Sequence, residues 1–389
     1  MKTILTICCH VDLCGADLSM LTALKGLKNK GYKIVVLLTR NGRIEEQLKK
    51  MDIEYYIVPQ NGCATNTPPK INMFLLRQLY YLLFFIKHEF ICDIKLLKFI
   101  RNFNQKPDII YTNTFLPTTG IFLSLYYKVP HVMHIRELTD DDFHFTYYIG
   151  KKLYLKILDR TLTCAICISK AVQDKFTPYL KGKTKLIYNG VPEIKETKFI
   201  TESNDSVIKI LFVGRLSKEK GVIEVVKAIK TLKEKGYNNI RLDIWGEGQD
   251  KDQVETYINK NQLEKFVEMK GYSPSNLIPR HKYDIAVMSS PHEAFGRVTV
   301  EYMMAGLAVI GYNGGATPEI IKHKESGLLY NSQEELIKYI QLLIENKETR
   351  LTIGKKGQER AYNYFSEQKY MNNINNLFDS ILKNKNVNN

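Results

Sequence analysis

The sequence predicts an α/β protein made of two doubly wound domains with parallel sheets. Three observations carry that prediction. The chain has 389 residues, enough to bury two cores. Apolar strand-like runs alternate with helix-like segments along its length, the pattern of parallel strands joined by crossover helices. The alternation breaks at Asn189-Gly190-Val191-Pro192, and a polar stretch from Glu193 to Ser206 follows. The boundaries read from this are 1–192 for the first domain, 193–206 for a linker, 207–366 for the second domain and 367–389 for a last helix and tail.

In the first half, strands are expected at Thr3–Cys9, Lys33–Leu38, Tyr55–Val58, Asp108–Tyr111, His131–His134, Cys164–Ile168 and Lys185–Tyr188. Helices include Asp17–Lys30 and Arg43–Lys50. The second half repeats the scheme. Strands are expected at Ile208–Val213, Arg241–Trp245, Val267–Met269, Ile285–Met288, Ala308–Ile310 and Gly327–Tyr330, with helices at Gly221–Lys235 and Asp250–Asn259. From about Glu367 to Leu382, apolar residues at Tyr370, Met371, Ile374, Leu377, Phe378, Ile381 and Leu382 mark a one-sided helix.

The composition is globular, 44% apolar and 25% charged, with no disorder signature. Met1–Cys9 is too short for a signal peptide, and no apolar run approaches the ~20 residues of a membrane-spanning helix. Several of the seven cysteines sit in apolar runs, as reduced, buried thiols of a cytosolic protein do. Cys164 and Cys167 form a C-x-x-C that fits a buried strand better than a redox or zinc site, because no second pair has matching spacing. The net charge of +15 is uneven. Residues 1–195 hold 28 Lys and Arg against 16 Asp and Glu, a net +12, and the remainder nets +3. A basic first half suits an acidic partner: nucleic acid, an anionic membrane surface or a phosphorylated acceptor. Residues 71–101 are apolar and aromatic, with Lys87, Lys95, Lys98 and Arg101 interspersed. They read either as a surface lying on an anionic membrane or as a pair of helices packed on the sheet with basic outer faces, most of the apolar residues being core.

Residues 284–321 carry the most functional information. Glu293 and Glu301 stand eight residues apart, in the order strand, loop, helix, strand. A helix N-terminus has unpaired N–H groups and partial positive charge, which suit phosphate. Gly296 allows close approach to the backbone. Carboxylates accept well from sugar hydroxyls, so two of them flanking an anion site suit a nucleotide-sugar.

With Ser289-Ser290 before Glu293, Phe295-Gly296 after it, Glu301-Tyr302-Met303-Met304-Ala305-Gly306 next and Gly314-Gly315 with Pro318-Glu319 closing, the segment resembles the E-x7-E motif of glycosyltransferase family 4. That resemblance implies the GT-B fold, two Rossmann-like domains facing a central cleft, with the last helix returning to the first domain. Gly214 to Gly221 resembles the family's GR-x-x-x-x-KG motif. There Arg215 and Lys220 would stabilise a departing diphosphate, with no essential metal and no cofactor required. By the same resemblance Glu301 holds the ribose hydroxyls and Glu293 those of the transferred sugar. Amides near Ala294, Phe295 and Gly296 help bind that sugar, and those from Arg297 and Val298 to Thr299 face the phosphates. Gly271 and Tyr272 match the site for the base, and Gly214 opens the phosphate loop. The glycines of Trp245-Gly246-Glu247-Gly248 shape a turn. Gly15 keeps one glycine of the family's Gly-Gly loop, with Cys14 in place of the other. His134 resembles a histidine that touches the donor sugar near the reacting carbon. Arg136 and Glu137 would line the acceptor side or pair with each other. Asp140-Asp141-Asp142 imitates a metal-binding D-x-D motif but reads as a solvated loop.

The resemblance implies a retaining transfer of a hexose-type sugar from a nucleotide diphosphate sugar, with UDP as the first expectation. The expected acceptor is a saccharide on a lipid carrier, in assembly of capsule or another surface polysaccharide, at the cytoplasmic face of the membrane. Alternatives are a small soluble acceptor and, from other classes, a basic nucleic-acid-binding protein or a nicotinamide-dependent oxidoreductase. No nucleic-acid motif appears, however, and no G-x-G-x-x-G follows the first strand.

Overall fold

The computed structural model describes residues 1–65, 74–139, 145–197 and 207–387. The chain forms two compact units: Met1–Gly190 together with Glu367–Asn389, and Val191–Ser366. Asp140 to Asp142 and residues 198–206 of the expected linker lie outside the described residues.

The first unit contains β1 (Thr3–Cys8), α1 (Gly15–Asn29), β2 (Lys33–Leu38), α2 (Ile44–Lys50), β3 (Glu54–Ile57), β4 (Ala64–Thr65), α3 (Phe74–Asn102), β5 (Ile109–Asn113), α4 (Thr119–Tyr127), β6 (His131–Ile135), β7 (Thr146–Tyr147), α5 (Lys151–Thr161), β8 (Cys164–Cys167), α6 (Lys170–Phe176) and β9 (Thr184–Leu186). Seven strands form one parallel sheet in the order β3-β2-β1-β5-β6-β8-β9. The strand order reverses between β1 and β5, so loops at their carboxyl ends open a crevice. The antiparallel pair β4 and β7 was not foreseen, because two-residue strands have no periodicity to read. Cys164 and Cys167 are buried in β8, and burial pushes their thiols up to about 11 and about 12. Protonated, buried thiols fit the strand reading of that C-x-x-C.

The second unit contains β10 (Ile208–Val213), α7 (Val222–Glu234), β11 (Ile240–Trp245), α8 (Lys251–Lys260), β12 (Val267–Gly271), β13 (Ile285–Met288), α9 (Arg297–Met304), β14 (Ala308–Tyr312), α10 (Thr317–Ile320), β15 (Leu328–Tyr330), α11 (Gln333–Glu345) and α12 (Lys347–Phe365). Its parallel sheet runs β12-β11-β10-β13-β14-β15, with the reversal between β10 and β13. Both faces are covered by helices, which is why its strands are near-continuous apolar runs.

α13 (Glu367–Val387) belongs to the first unit. Tyr370, Ile374, Phe378 and Leu382 recur every four residues and are buried in one cluster with Met20, Leu24 and Leu27 of α1. Gly26 makes the close approach possible: a Cβ there would stand 2.8 Å from that of Met371. Residues 74–102 differ from expectation. They form one long helix rather than a pair, and several of its large apolar side chains are exposed rather than core.

Candidate functional site

In the second unit the site grows from the two strands at the sheet's reversal. β10 delivers the loop Gly214 to Gly221, and β13 delivers Ser289 to Gly296. The two loops are joined by hydrogen bonds. The Ser289 hydroxyl donates to the Lys220 carbonyl at 2.8 Å, and Ser290 to the Glu219 carbonyl at 3.0 Å. Gly221 sits at φ 65°, and a Cβ there would lie 2.6 Å from the Ser289 carbonyl oxygen. Only glycine suits both that conformation and that space.

This stitching brings two of the predicted residues into contact. The Lys220 ammonium pairs with Oε1 of Glu293. Glu293 is also fixed from the far side. The Ala316 amide donates to its carbonyl at 2.8 Å. A Cβ on Gly315, at φ 53°, would lie 2.5 Å from that same oxygen, and one on Gly314 2.5 Å from the Pro291 carbonyl. The Gly-Gly pair therefore lets the loop after β14 close on the backbone that carries Glu293. Arg215 is exposed, and its guanidinium makes no hydrogen bond or ion pair among the described residues.

Gly296 caps α9 at φ 86°. Ala294 lies half-buried in the loop before it. Phe295 is buried, its ring edge-on to Phe365 with centroids 5.9 Å apart, so the ring anchors the loop from within. Arg297 and Val298 open the helix. The expectation for Thr299 is corrected: its amide donates to the Gly296 carbonyl at 3.0 Å and is not open to phosphate. Its hydroxyl is buried and has no partner. Sequence reasoning missed that hydroxyl, for which a threonine inside an apolar run gives no signal.

Glu301 follows on the same short helix, nearly buried. Oε2 accepts from the Ser275 hydroxyl at 2.6 Å and from the Arg280 guanidinium. Arg280 is itself buried, and a second contact ties it to Ser275 at 2.7 Å. Neither residue was foreseen. Beside Glu301, the Tyr302 hydroxyl accepts from the Val213 amide at 2.6 Å, fixing the end of β10 just before Gly214.

Gly271 ends β12 at φ 72°, and Tyr272 after it is 71% exposed. Gly246 and Gly248 do shape a turn. Cβ atoms there would stand 1.9 Å from the Gly214 carbonyl oxygen and 2.2 Å from that of Leu216. They let this turn press against the loop bearing Arg215.

The first unit holds the other predicted residues. Gly15 begins α1, capped by Asp17, whose carboxylate accepts from the Cys14 amide at 3.0 Å. His10, Cys14 and Asp17 place three potential ligand atoms within 4.8 Å of one another. Burial and then Asp17 push the Cys14 thiol up to about 11, so it is protonated near neutral pH. His134 is buried at the end of β6. Its Nδ1 accepts from Arg136 at 3.2 Å and lies 2.7 Å from the Tyr111 hydroxyl. Since guanidinium can only donate, the proton sits on Nε2, which is buried without a partner. Burial, with the Arg136 charge adding to it, pulls the imidazole well below its usual range. His134 is thus a neutral hydrogen-bond donor.

Arg136 is corrected. It does not line an open surface. Its guanidinium is buried and donates to Asn113 at 2.6 Å and Asn189 at 2.8 Å, besides His134. Glu137 is half-buried and accepts from the Arg136 amide at 3.0 Å and the Phe115 amide at 3.3 Å, so the two residues meet through the backbone.

Comparison with known proteins agrees with this architecture. Residues 193–360 match the family model described as glycosyl transferases group 1. An uncharacterized glycosyltransferase of Methanocaldococcus jannaschii is 26% identical over 280 residues, 70% of this chain and 76% of that protein. The capsular polysaccharide biosynthesis glycosyltransferase CapM of Staphylococcus aureus is 26% identical over 261 residues, 61% of this chain and 67% of CapM. Among solved structures, Anabaena Alr3699/HepE in complex with UDP superimposes with a TM-score of 0.75 at 21% identity, over 98% of this chain and 100% of that one. The fold is GT-B, with two Rossmann-like domains, and the chain, similar over 193–360 to group 1 glycosyl transferases, is an enzyme of the glycosyltransferase class.

Proposed function

We propose that the protein is a retaining glycosyltransferase of family 4 that moves a hexose-type sugar from a UDP-sugar to a saccharide hydroxyl. The observation that carries this reading is the convergence at the β10/β13 reversal. There a paired Lys220 and Glu293, an unpaired Arg215, the start of α9 and a clamped Glu301 occupy adjacent loops. An anion site between two carboxylates fits a diphosphate with a sugar at each end. UDP is supported by the relatives, since HepE is described in complexes with UDP, with UDP and glucose, and with UDP-glucose.

In this reading the second unit binds the donor and the first the acceptor. Glu301 takes the ribose hydroxyls and Glu293 those of the transferred hexose. Arg215, Lys220 and the first amides of α9 take the diphosphate. The reaction is front-face: the acceptor hydroxyl attacks as the sugar–phosphate bond breaks, and the departing phosphate oxygen receives the hydroxyl proton. Fixed cations stabilise the charge that develops on that oxygen, so no metal is needed. His134, with Nε2 buried, acts from within the first unit by holding Arg136 and Tyr111 in place. The acceptor is a saccharide on a lipid carrier at the cytoplasmic face of the membrane, in surface-polysaccharide assembly. Similarity to CapM, a capsular polysaccharide biosynthesis glycosyltransferase, supports the surface-polysaccharide part of this reading.

Calorimetry with UDP-, GDP- and ADP-glucose tests the donor, and proton NMR of the product tests the stereochemistry. Tight binding of a UDP-sugar and a product with the donor's anomeric configuration are expected, unchanged by EDTA. No binding of any nucleotide-sugar, or an inverted product, rejects the reading.

A further inference from the structure

α3 carries two opposite apolar faces. Tyr81, Leu96, Phe99 and Ile100 are buried on one side, as is Phe103 just past the helix end. Leu76, Leu79, Leu83, Ile86, Ile94 and Leu97 are exposed, most of them by about half their surface. At ~100° per residue these six, with exposed Tyr80, fall within an arc of about 120° on the side away from the core. Lys87, Lys98 and Arg101 fall on the same arc, while Leu82, also exposed, and Asp93 fall just beyond its edge. One helix thus presents large aliphatic side chains in a row with three cations among them.

Beside the carboxyl half of this stripe lies a groove of about 520 Å³, lined by Tyr56, Ile57, Pro59, Phe99 and Phe103 and by Lys95 and Lys98. Tyr56 and Ile57 are themselves exposed, so the apolar surface continues from α3 onto β3. Among the described residues no helix is long and apolar enough to cross a membrane.

We propose that α3 lies flat on an anionic lipid surface, with its aliphatic row among the acyl chains and Lys87, Lys98 and Arg101 on the headgroup phosphates. Charge decides between this occupant and a second copy of the chain. A symmetric dimer through the stripe would bury three cations from each copy against one another, with only Asp93 at the edge of the arc to offset them. Anionic headgroups meet them directly, while the long lysine and arginine stems follow the apolar surface outward. The proposal deepens the reading of a lipid-borne acceptor, because it would hold the first unit where such an acceptor resides, but it rests on this helix alone.

The test is co-sedimentation of the full-length protein with phosphatidylcholine vesicles, with and without phosphatidylglycerol. Two variants accompany it: Leu79→Ser/Leu83→Ser/Ile86→Ser and Lys87→Glu/Lys98→Glu/Arg101→Glu. All six positions are exposed, so circular dichroism and thermal midpoints should match wild type. Wild type should bind the anionic vesicles in a salt-sensitive way and the neutral ones at least tenfold less. Each variant should lose about tenfold or more of the binding to anionic vesicles, with UDP binding unchanged. Binding that survives both triple substitutions, or is equal on both vesicles, overturns the proposal. So does light scattering that finds a wild-type dimer turned monomer by the serine variant, which would make a second copy the occupant. If UDP binding is absent while vesicle binding behaves as stated, the donor reading fails and this one stands.

Discussion

Lys220→Ala separates two roles that the structure gives one side chain. In the resting protein Lys220 is the counter-ion of Glu293. In the proposed reaction it stabilises the departing phosphate. The side chain of Lys220 is 35% exposed and that of Glu293 14%. A pair this open to solvent contributes at most about 1 kcal/mol to folding. For a unit the size of Val191–Ser366 that is a fall of about 2–4 °C in midpoint. Removing one pre-positioned charge from a developing anion, by contrast, costs about 100- to 1,000-fold in kcat. Turnover and stability should therefore separate widely. The assay is UDP release from UDP-glucose in single-turnover and steady-state modes, with a thermal melt of the same sample. The double variant Lys220→Ala/Glu293→Gln decides the cause. If lysine only neutralises Glu293, removing both charges restores most of the rate. If lysine serves the phosphate, the double variant stays at least as slow as the single one. Restoration to within threefold of wild type, or a single variant that is nearly as fast as wild type, would refute the reasoning.

Other outcomes follow from the same geometry. Arg280→Ala strips the buried Glu301 of its cation and should weaken UDP binding by about 10- to 100-fold in calorimetry, with Arg280→Lys recovering part; unchanged affinity would remove Glu301 from the ribose. Gly315→Ala forces a Cβ against the Glu293 carbonyl at positive φ and should cost about 1–3 kcal/mol in urea unfolding together with most activity, whereas an active, stable variant would show that the loop yields. His131 is pulled down to about 3 by burial, and His134 lies well below its usual range. Both pKa values are lowered on folding, so the unfolded chain takes up the extra protons, and stability present above about pH 6.5 is lost as pH falls toward 3. The first unit should therefore lose stability as pH falls from 7 to 5, read from urea midpoints, and His131→Asn should make that loss smaller.

How legible these features were in the sequence depends on how local their causes are. The strand–loop–helix of 284–304 could be read because its signals are consecutive: an apolar run, Gly296 where the chain must turn left-handed, then a helix. The second sheet followed for the same reason, since buried parallel strands advertise themselves as continuous apolar runs. Arg280 could not be read. Its partner Glu301 lies 21 residues away, and burial of an arginine in Pro279-Arg280-His281-Lys282 looks like any solvated basic turn. Arg136 failed in the opposite sense. Its place beside His134 suggested an open site, but the acceptors that bury it, Asn113 and Asn189, arrive from β5 and from the loop after β9. In both cases the deciding contact is a long-range pairing of polar groups, which leaves no periodicity behind.

α3 shows the limit of hydrophobicity itself as a signal. Residues 71–101 are apolar on nearly every side, so pattern alone favoured a pair of helices packed on the sheet, with basic outer faces and most apolar residues in the core. The structure covers only one face and leaves Leu79, Leu83 and Ile86 outside. An uninterrupted helix of 29 residues cannot bury both sides against one sheet. The lysines were the discriminating clue. A helix meant wholly for a core would not place Lys87, Lys98 and Arg101 in line with its second apolar row, because each would have to be desolvated without a partner. Their alignment with that row, visible only once the helix is known to be continuous, is what favours headgroups as the proposed occupant of this face.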